Sequence, residues 1–522
     1  MAAPDSFVLL LDFGCTFSGA LIRLVRELGV RCELQAIESF KGLPEPAPAG
    51  VLLCGGTESV FDADVVHLDM SLFDACKAKG VPVLGISYGM MVACKAFGGK
   101  VVKGKETEYK VVDFTLGAAD VLFEGLPQVF KVHANTNDEL HALPAGFKAL
   151  GTAAGLEGVV AAVHPDHKLW VVYFHPESSD SEHGHALLSN FLYKVCKCDK
   201  SWTMELYYES EMKKIKEQCG SDKVVVAGLS GGVDSTVCAA MVHSVIGNRF
   251  HGIMVNTGLM RFNETNCCFK RLTNEIPGLQ VTIRDSSAVF FRELAGVTDP
   301  EQKRKIIGRV YIEEFDAAIK ELGFSPANCL LLQGTIYPDI LESELNRRNK
   351  LPVKSHHNVG GLPDKLDYEL IEPVRYLFKE EVRALGRLLK LSDYTCTRPP
   401  FPGPGLGVRV IGELTPERVE VVRQADKITR DEIEKAGVKV SQALCVFLPT
   451  IRSTGIVHGK RVHGHTVVLR IINTVDFVTA KWAKLDHDLL ERISTRITSE
   501  VAGVNRVCLD ITNKGPATIE WE

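Results

Sequence analysis

Short apolar runs alternate with amphipathic stretches along most of this chain. Phe7 to Leu11 is apolar and is ended by Asp12-Phe13-Gly14. A run of that length reads as a buried strand. Residues 20–28 carry apolar positions at helical spacing and stop at Gly29. Val51 to Cys54, Val81 to Ile86 and Leu169 to Phe174 are further apolar runs, the first ending in Gly55-Gly56. The same grammar returns at residues 224–228, 251–255 and 330–332, each followed by small or polar residues. Strands alternating with helices predict parallel α/β sheets, whose ligand sites lie at the carboxyl ends of the strands.

The end of the chain is patterned differently. Residues 416–434 predict a helix, with Thr415 as its cap and Pro416 in its first position. Strands are expected at 443–448, 466–472 and 506–511, and a one-sided apolar helix near 489–501. This reads as a small α+β domain whose exposed apolar sheet face favours a homodimer. The composition turns polar at Asp199-Lys200-Ser201, and a Pro/Gly segment lies at residues 398–406. The expected division is therefore 1–200, 201–400 and 401–522.

Composition changes this picture little. A length of 522 residues suits two to four domains, and 45% hydrophobic with 24% charged residues is ordinary for a globular protein. A formal net charge of −5 gives no global sign of nucleic-acid binding. Met1 to Asp5 lacks a basic region, and no long uncharged apolar stretch follows. Neither a signal peptide nor a membrane span is expected, and the reading is cytoplasmic. The cysteines, among them Cys267-Cys268 and Cys196-Lys197-Cys198, do not match zinc spacing and are expected to be reduced thiols. His356-His357 on an extended segment point to opposite sides, so they read as ligand contacts or structural hydrogen bonds. No metal ligand is assigned.

The chemistry concentrates after the valine run 224–226. There Gly228-Leu229-Ser230-Gly231-Gly232-Val233-Asp234-Ser235 leads into an apolar helix. Glycines allow a sharp turn and close backbone approach. Free amides at a helix N-terminus, with its dipole, favour an anion such as phosphate or pyrophosphate. The Walker A pattern is absent. The motif resembles the pyrophosphate loop of the N-type ATP pyrophosphatases, which adenylate a carbonyl oxygen. On that resemblance Lys354 and Lys379 are expected to contact pyrophosphate.

The N-terminal strand ends resemble a class I glutamine amidotransferase. Gly85-Ile86-Ser87-Tyr88-Gly89 is similar to that family's nucleophile elbow, and His175-Pro176-Glu177 to the rest of its triad. The Gly55-Gly56 turn would then supply the oxyanion hole. Ser87 stands where the family has its nucleophilic Cys. A hydroxyl is far harder to deprotonate than a thiol. Met91, Thr57 and the stretch 131–138 also depart from the family pattern. Natural loss of glutaminase, with free ammonia as nitrogen source, competes with an engineered change that traps a complex. The several departures favour natural loss, and a working Ser nucleophile is the least favoured account.

Three further stretches are similar to GMP synthetases. These are the basic helix start 298–309, the segment Pro400-Phe401-Pro402-Gly403-Pro404-Gly405-Leu406, and the tail Asp510 to Glu522. The resemblance implies XMP contacts at Arg304, Gln442, Lys514, Ile519 and Glu520. It covers the whole chain and implies three parts: an amidotransferase-like domain, a Rossmann-like ATP pyrophosphatase domain and a small dimerisation domain. The implied reaction uses ATP and Mg²⁺ to adenylate the purine C2 oxygen of XMP. Ammonia or glutamine nitrogen then displaces AMP. Other amide-forming ATP pyrophosphatases, such as NAD or argininosuccinate synthetases, and a nucleotide-sensing pseudoenzyme are the alternatives. The tail motif speaks against the two synthetases.

Overall fold

The computed structural model describes residues 6–15, 17–55, 59–62, 68–104, 110–135, 137–156, 158–341, 368–399, 401–457, 459–474 and 479–522. Lys354, His356, His357, Gly56 and Thr57 lie outside them. The chain forms two compact units that divide between Tyr207 and Tyr208. Among the described residues no helix is long and apolar enough to cross a membrane. All fifteen cysteines are free.

The first unit is built on a sheet of nine described strands. Arg31–Ala36, Phe7–Asp12, Gly50–Cys54, Val83–Ile86 and Leu169–Val172 run parallel in that order. The apolar runs of the last four are buried on both faces, as interior parallel strands require. Beyond Leu169–Val172 the sheet turns antiparallel through Ala161–His164, Lys148–Ala153, Lys110–Leu116 and Val129–Ala134. This second half carries polar outward residues and less regular alternation, so its strands are harder to read from pattern.

The second unit holds a parallel sheet in the order Gln280–Asp285, Phe250–Asn256, Val224–Gly228, Cys329–Leu332, Glu369–Ile371. The valine run is its central strand. A second sheet pairs Gln442–Val457 antiparallel with Lys460–Asn473, which also takes Val504–Asp510 in parallel. The hairpin is longer than the pattern predicts because it continues past Pro449 through a register shift between Leu448 and Arg452. That extension is mostly exposed, so no buried stripe announces it. The helix Pro416–Lys435 begins as expected, with Thr415 Oγ1 accepting from the Arg418 amide at 3.3 Å. One apolar core joins both sheets, from Val226 and Ile253 through Ile307 and Val310 to Val422, Leu469 and Ile493.

Candidate active site

In the first unit Ser87 sits between the strand Val83–Ile86 and the helix Tyr88–Ala96 with φ 53° and ψ −111°. A non-glycine residue with that backbone is strained, and a strained strand-to-helix turn is the mark of a nucleophile elbow. The elbow is packed closely: a Cβ on Gly55 would lie 1.7 Å from Tyr88 Cβ. Ser87 Oγ donates to the Asn135 carbonyl at 2.9 Å. His175 Nε2 lies 3.4 Å from the same oxygen, and His175 Nδ1 meets Glu177 Oε1 at 2.7 Å. Among the described residues Ser87 and His175 share no hydrogen bond. Burial works against protonation of His175, but the Glu177 hydrogen bond and charge outweigh it and raise the imidazole above its usual value. His175 and Glu177 are paired, while the Ser87 hydroxyl is committed to a backbone carbonyl.

In the second unit the loop after Val224–Gly228 turns at Gly231, with φ 72°. A Cβ there would lie 2.5 Å from Cys268 Sγ, so only glycine fits. The helix Val233–Ile246 follows, with Gly232 as its N-cap. Ser230 Oγ accepts from the Gly232 amide and meets Ser235 Oγ, both at 3.3 Å. Asp234 Oδ2 forms an ion pair with Lys379, at the start of the helix Lys379–Leu388. Asp234 Oδ1 is buried without a hydrogen-bond partner. The back of the loop is held by two arginines. The Gly231 carbonyl accepts from Arg271 Nη2 at 2.8 Å and from Arg398 Nη1 at 3.0 Å, and Arg398 also pairs with Glu264.

The Pro/Gly segment packs against the neighbouring strand end. Leu406 N donates to Leu259 O at 2.7 Å. The Phe401 ring lies under the guanidinium groups of Arg261 and Arg409, at 4.4 and 5.5 Å. The tail is locked by buried cations. Arg409 Nη2 and Nε donate to the Glu520 carboxylate at 2.8 and 3.1 Å. Lys303 Nζ donates to Val410 O at 2.8 Å and to Glu522 Oε2 at 2.5 Å. Burial pushes the Lys303 ammonium below its usual value, and Glu522 works against that shift. Arg470 Nη2 donates to Thr518 O at 2.9 Å.

Three family descriptions match the chain in order: class-I glutamine amidotransferase over residues 9–195, NAD synthase over 207–303, and the GMP synthase C terminal domain over 431–521. The glutamine-hydrolyzing GMP synthase of Maridesulfovibrio salexigens is 40% identical over 526 residues, covering 99% of each chain. That of Listeria innocua is 42% identical over 520 residues, covering 99% of this chain and 98% of the relative. The chain belongs to the GMP synthase family. The NAD synthase match spans the strand-loop-helix at residues 224–246.

The fold brings together much of what the GMP synthase resemblance implies. Gly228, Ser230, Gly231, Gly232, Val233, Asp234 and Ser235 form one turn, with Lys379 on it. Arg304 follows the buried Lys303 and pairs with Glu301. Ile519 packs on Leu444, Val446 and Val468, two residues along the strand from Gln442. Lys514 N donates to Ala480 O at 2.8 Å. Glu520 does not present a free carboxylate, because Arg409 holds it. Pattern reading missed Lys303, Arg409, Arg271 and Arg398. Lys303 had a signal: it shares a helical stripe with Ile307 and Val310 at spacings of four and seven.

Proposed function

We propose that this chain makes GMP from XMP. ATP adenylates the purine C2 oxygen: that oxygen attacks the α-phosphorus and pyrophosphate leaves. Ammonia then attacks C2, and AMP leaves with the oxygen. The observation that carries this reading is the glycine turn at the carboxyl end of the central parallel strand, with Asp234 and Lys379 at its rim. Its amides and the helix dipole would receive the departing pyrophosphate. Lys354 is assigned to the same anion on the resemblance alone.

The unpartnered Oδ1 of Asp234 fits a Mg²⁺ that accompanies ATP. Mg²⁺ there would offset the charge that develops on the phosphates. The XMP contacts are assigned to Arg304, Gln442, Lys514, Ile519 and Glu520. Glu520 is assigned to the ribose or purine with its carboxylate already held in place by Arg409. The reading also includes a cytoplasmic homodimer of three domains, 1–200, 201–400 and 401–522.

Ammonia is the proposed nitrogen donor. A general base must reach the nucleophile's proton at about 2.6–3.2 Å, and the Ser87 hydroxyl is turned to Asn135 O instead. One assay tests the whole reading: AMP and pyrophosphate release with XMP and ATP, supplied with either ammonia or glutamine. Ammonia should support turnover at least about a hundredfold better. Ser87→Cys should narrow that gap, and Asp234→Ala should abolish AMP release from a folded chain. Efficient glutamine use by the unmodified chain would refute the donor assignment. No XMP-dependent AMP at all would leave a nucleotide-sensing role.

A further inference from the structure

Cys15, Cys54 and Glu177 meet beside His175. Both sulfurs and a Glu177 carboxylate oxygen lie within 4.8 Å of one another. Cys54 ends the strand Gly50–Cys54, and Cys15 follows its parallel neighbour Phe7–Asp12. The two cysteines are far apart in sequence, so no ligand spacing reveals them. Both are buried, at 1% and 0% exposure.

The carboxylate is the second, independent observation. The Glu177 side chain is 0% exposed. His175 Nδ1 takes Oε1, but Oε2 is buried with no hydrogen-bond partner. An unpaired buried carboxylate oxygen is costly and calls for a proton donor or a cation. Three atoms no more than 4.8 Å apart share a point within roughly 2.8 Å of each. Shifts of about half an ångström would reach the ~2.3 Å of a zinc–sulfur bond and the ~2.0–2.2 Å of a zinc–oxygen bond.

We propose that Cys15, Cys54 and Glu177 form a binding site for a thiophilic divalent cation of the zinc class. Two sulfur donors select against Mg²⁺ and Ca²⁺, which take oxygen ligands. Binding forms two metal–sulfur bonds and one metal–oxygen bond, and releases one proton from each thiol to solvent. The fourth position is left to water. His175 holds the remaining carboxylate oxygen and orients it, as outer partners of metal ligands do. The site ties two parallel strand ends to the segment after Leu169–Val172, next to His175. It requires no step of the proposed synthesis in the second unit.

The test uses the full chain, stripped with a chelator and then loaded with Zn²⁺ or Co²⁺ alone. One equivalent should survive desalting. The cobalt form should show sulfur-to-metal charge-transfer absorption with tetrahedral visible bands. The double substitution Cys15→Ser with Cys54→Ser should lose both, while Cys267→Ser, at an exposed cysteine, should keep both. Circular dichroism establishes that the double variant is folded. If it is not, Glu177→Gln takes its place and should weaken retention at least tenfold. No retained metal, or an equivalent and a sulfur band that survive these substitutions, overturns the proposal.

Discussion

Lys303 shows how much one residue can decide in this chain. Its ammonium is fully buried and touches both a backbone carbonyl and the last residue, Glu522. Removing one partner of a buried pair leaves the other uncompensated, which is more damaging than replacing both. Glu522 Oε1 still accepts from the Gly412 amide at 3.4 Å, so the loss is partly relieved. Lys303→Met is expected to cost about 2 kcal/mol in denaturant unfolding. It should also raise KM for XMP several-fold and leave KM for ATP little changed, because it frees the tail and not the glycine turn. An unchanged KM for XMP would separate the tail from the nucleotide. Ser87 is the opposite case. Its identity is plain in the sequence, but its hydrogen bond to Asn135 O is not, since Asn135 lies on a different strand end.

At the scale of elements, the turn 229–232 is shaped by its neighbours as much as by its own glycines. Arg271 comes from the helix Glu264–Glu275, and Arg398 opens the Pro/Gly segment. Both donate to one carbonyl, that of Gly231. A lysine cannot hold Gly231 O and Glu264 together as a planar guanidinium does. Arg398→Lys is therefore expected to slow XMP-dependent pyrophosphate release about tenfold, or ~1.4 kcal/mol, without loss of secondary structure. Kinetics matching the unmodified chain would show that the clamp is dispensable.

A second pairing of elements should appear in the acid stability. Glu314, on the helix Pro300–Glu321, accepts from Ser286 Oγ at 2.6 Å and from Arg284 Nε at 2.8 Å. The Ser286 hydrogen bond, then that of Arg284, holds its carboxyl below the usual value against the effect of burial. A carboxyl lowered in the folded state contributes stability above its unfolded pKa of about 4.5. That contribution is lost as pH falls through the folded value. Glu314→Gln should cost about 0.5–1 kcal/mol at neutral pH, after allowing for solvent screening. The difference from the unmodified chain should close under acid. A gap that stays constant with pH would point to packing instead.

For the molecule as a whole, the hairpin of the C-terminal sheet carries exposed apolar side chains among the described residues. Ile451 is 53% and Ile456 77% exposed on it. Isolated exposed apolar residues are ordinary, but these two on one hairpin, together with its exposed edge, suit a second copy of the chain. Light scattering is expected to give a dimer, and Ile451→Asp with Ile456→Asp a folded monomer that still binds ATP. A dimer that survives both changes would place the contact elsewhere.

What the sequence by itself determined is local. Valine-rich runs make buried strands, Gly231 permits a backbone no other residue fits, and Thr415-Pro416 starts a helix; each works through neighbours a few residues away. The resemblances also ran through contiguous motifs, which is why the family was legible. The tertiary structure decided everything that depends on residues meeting from afar. It brought Arg271 and Arg398 to one carbonyl, gave Glu520 and Glu522 to Arg409 and Lys303, and gathered Cys15, Cys54 and Glu177. Charges and thiols of this kind carry no periodic signature. Burial and partners set their chemistry, and the packing of elements distant in sequence supplies both.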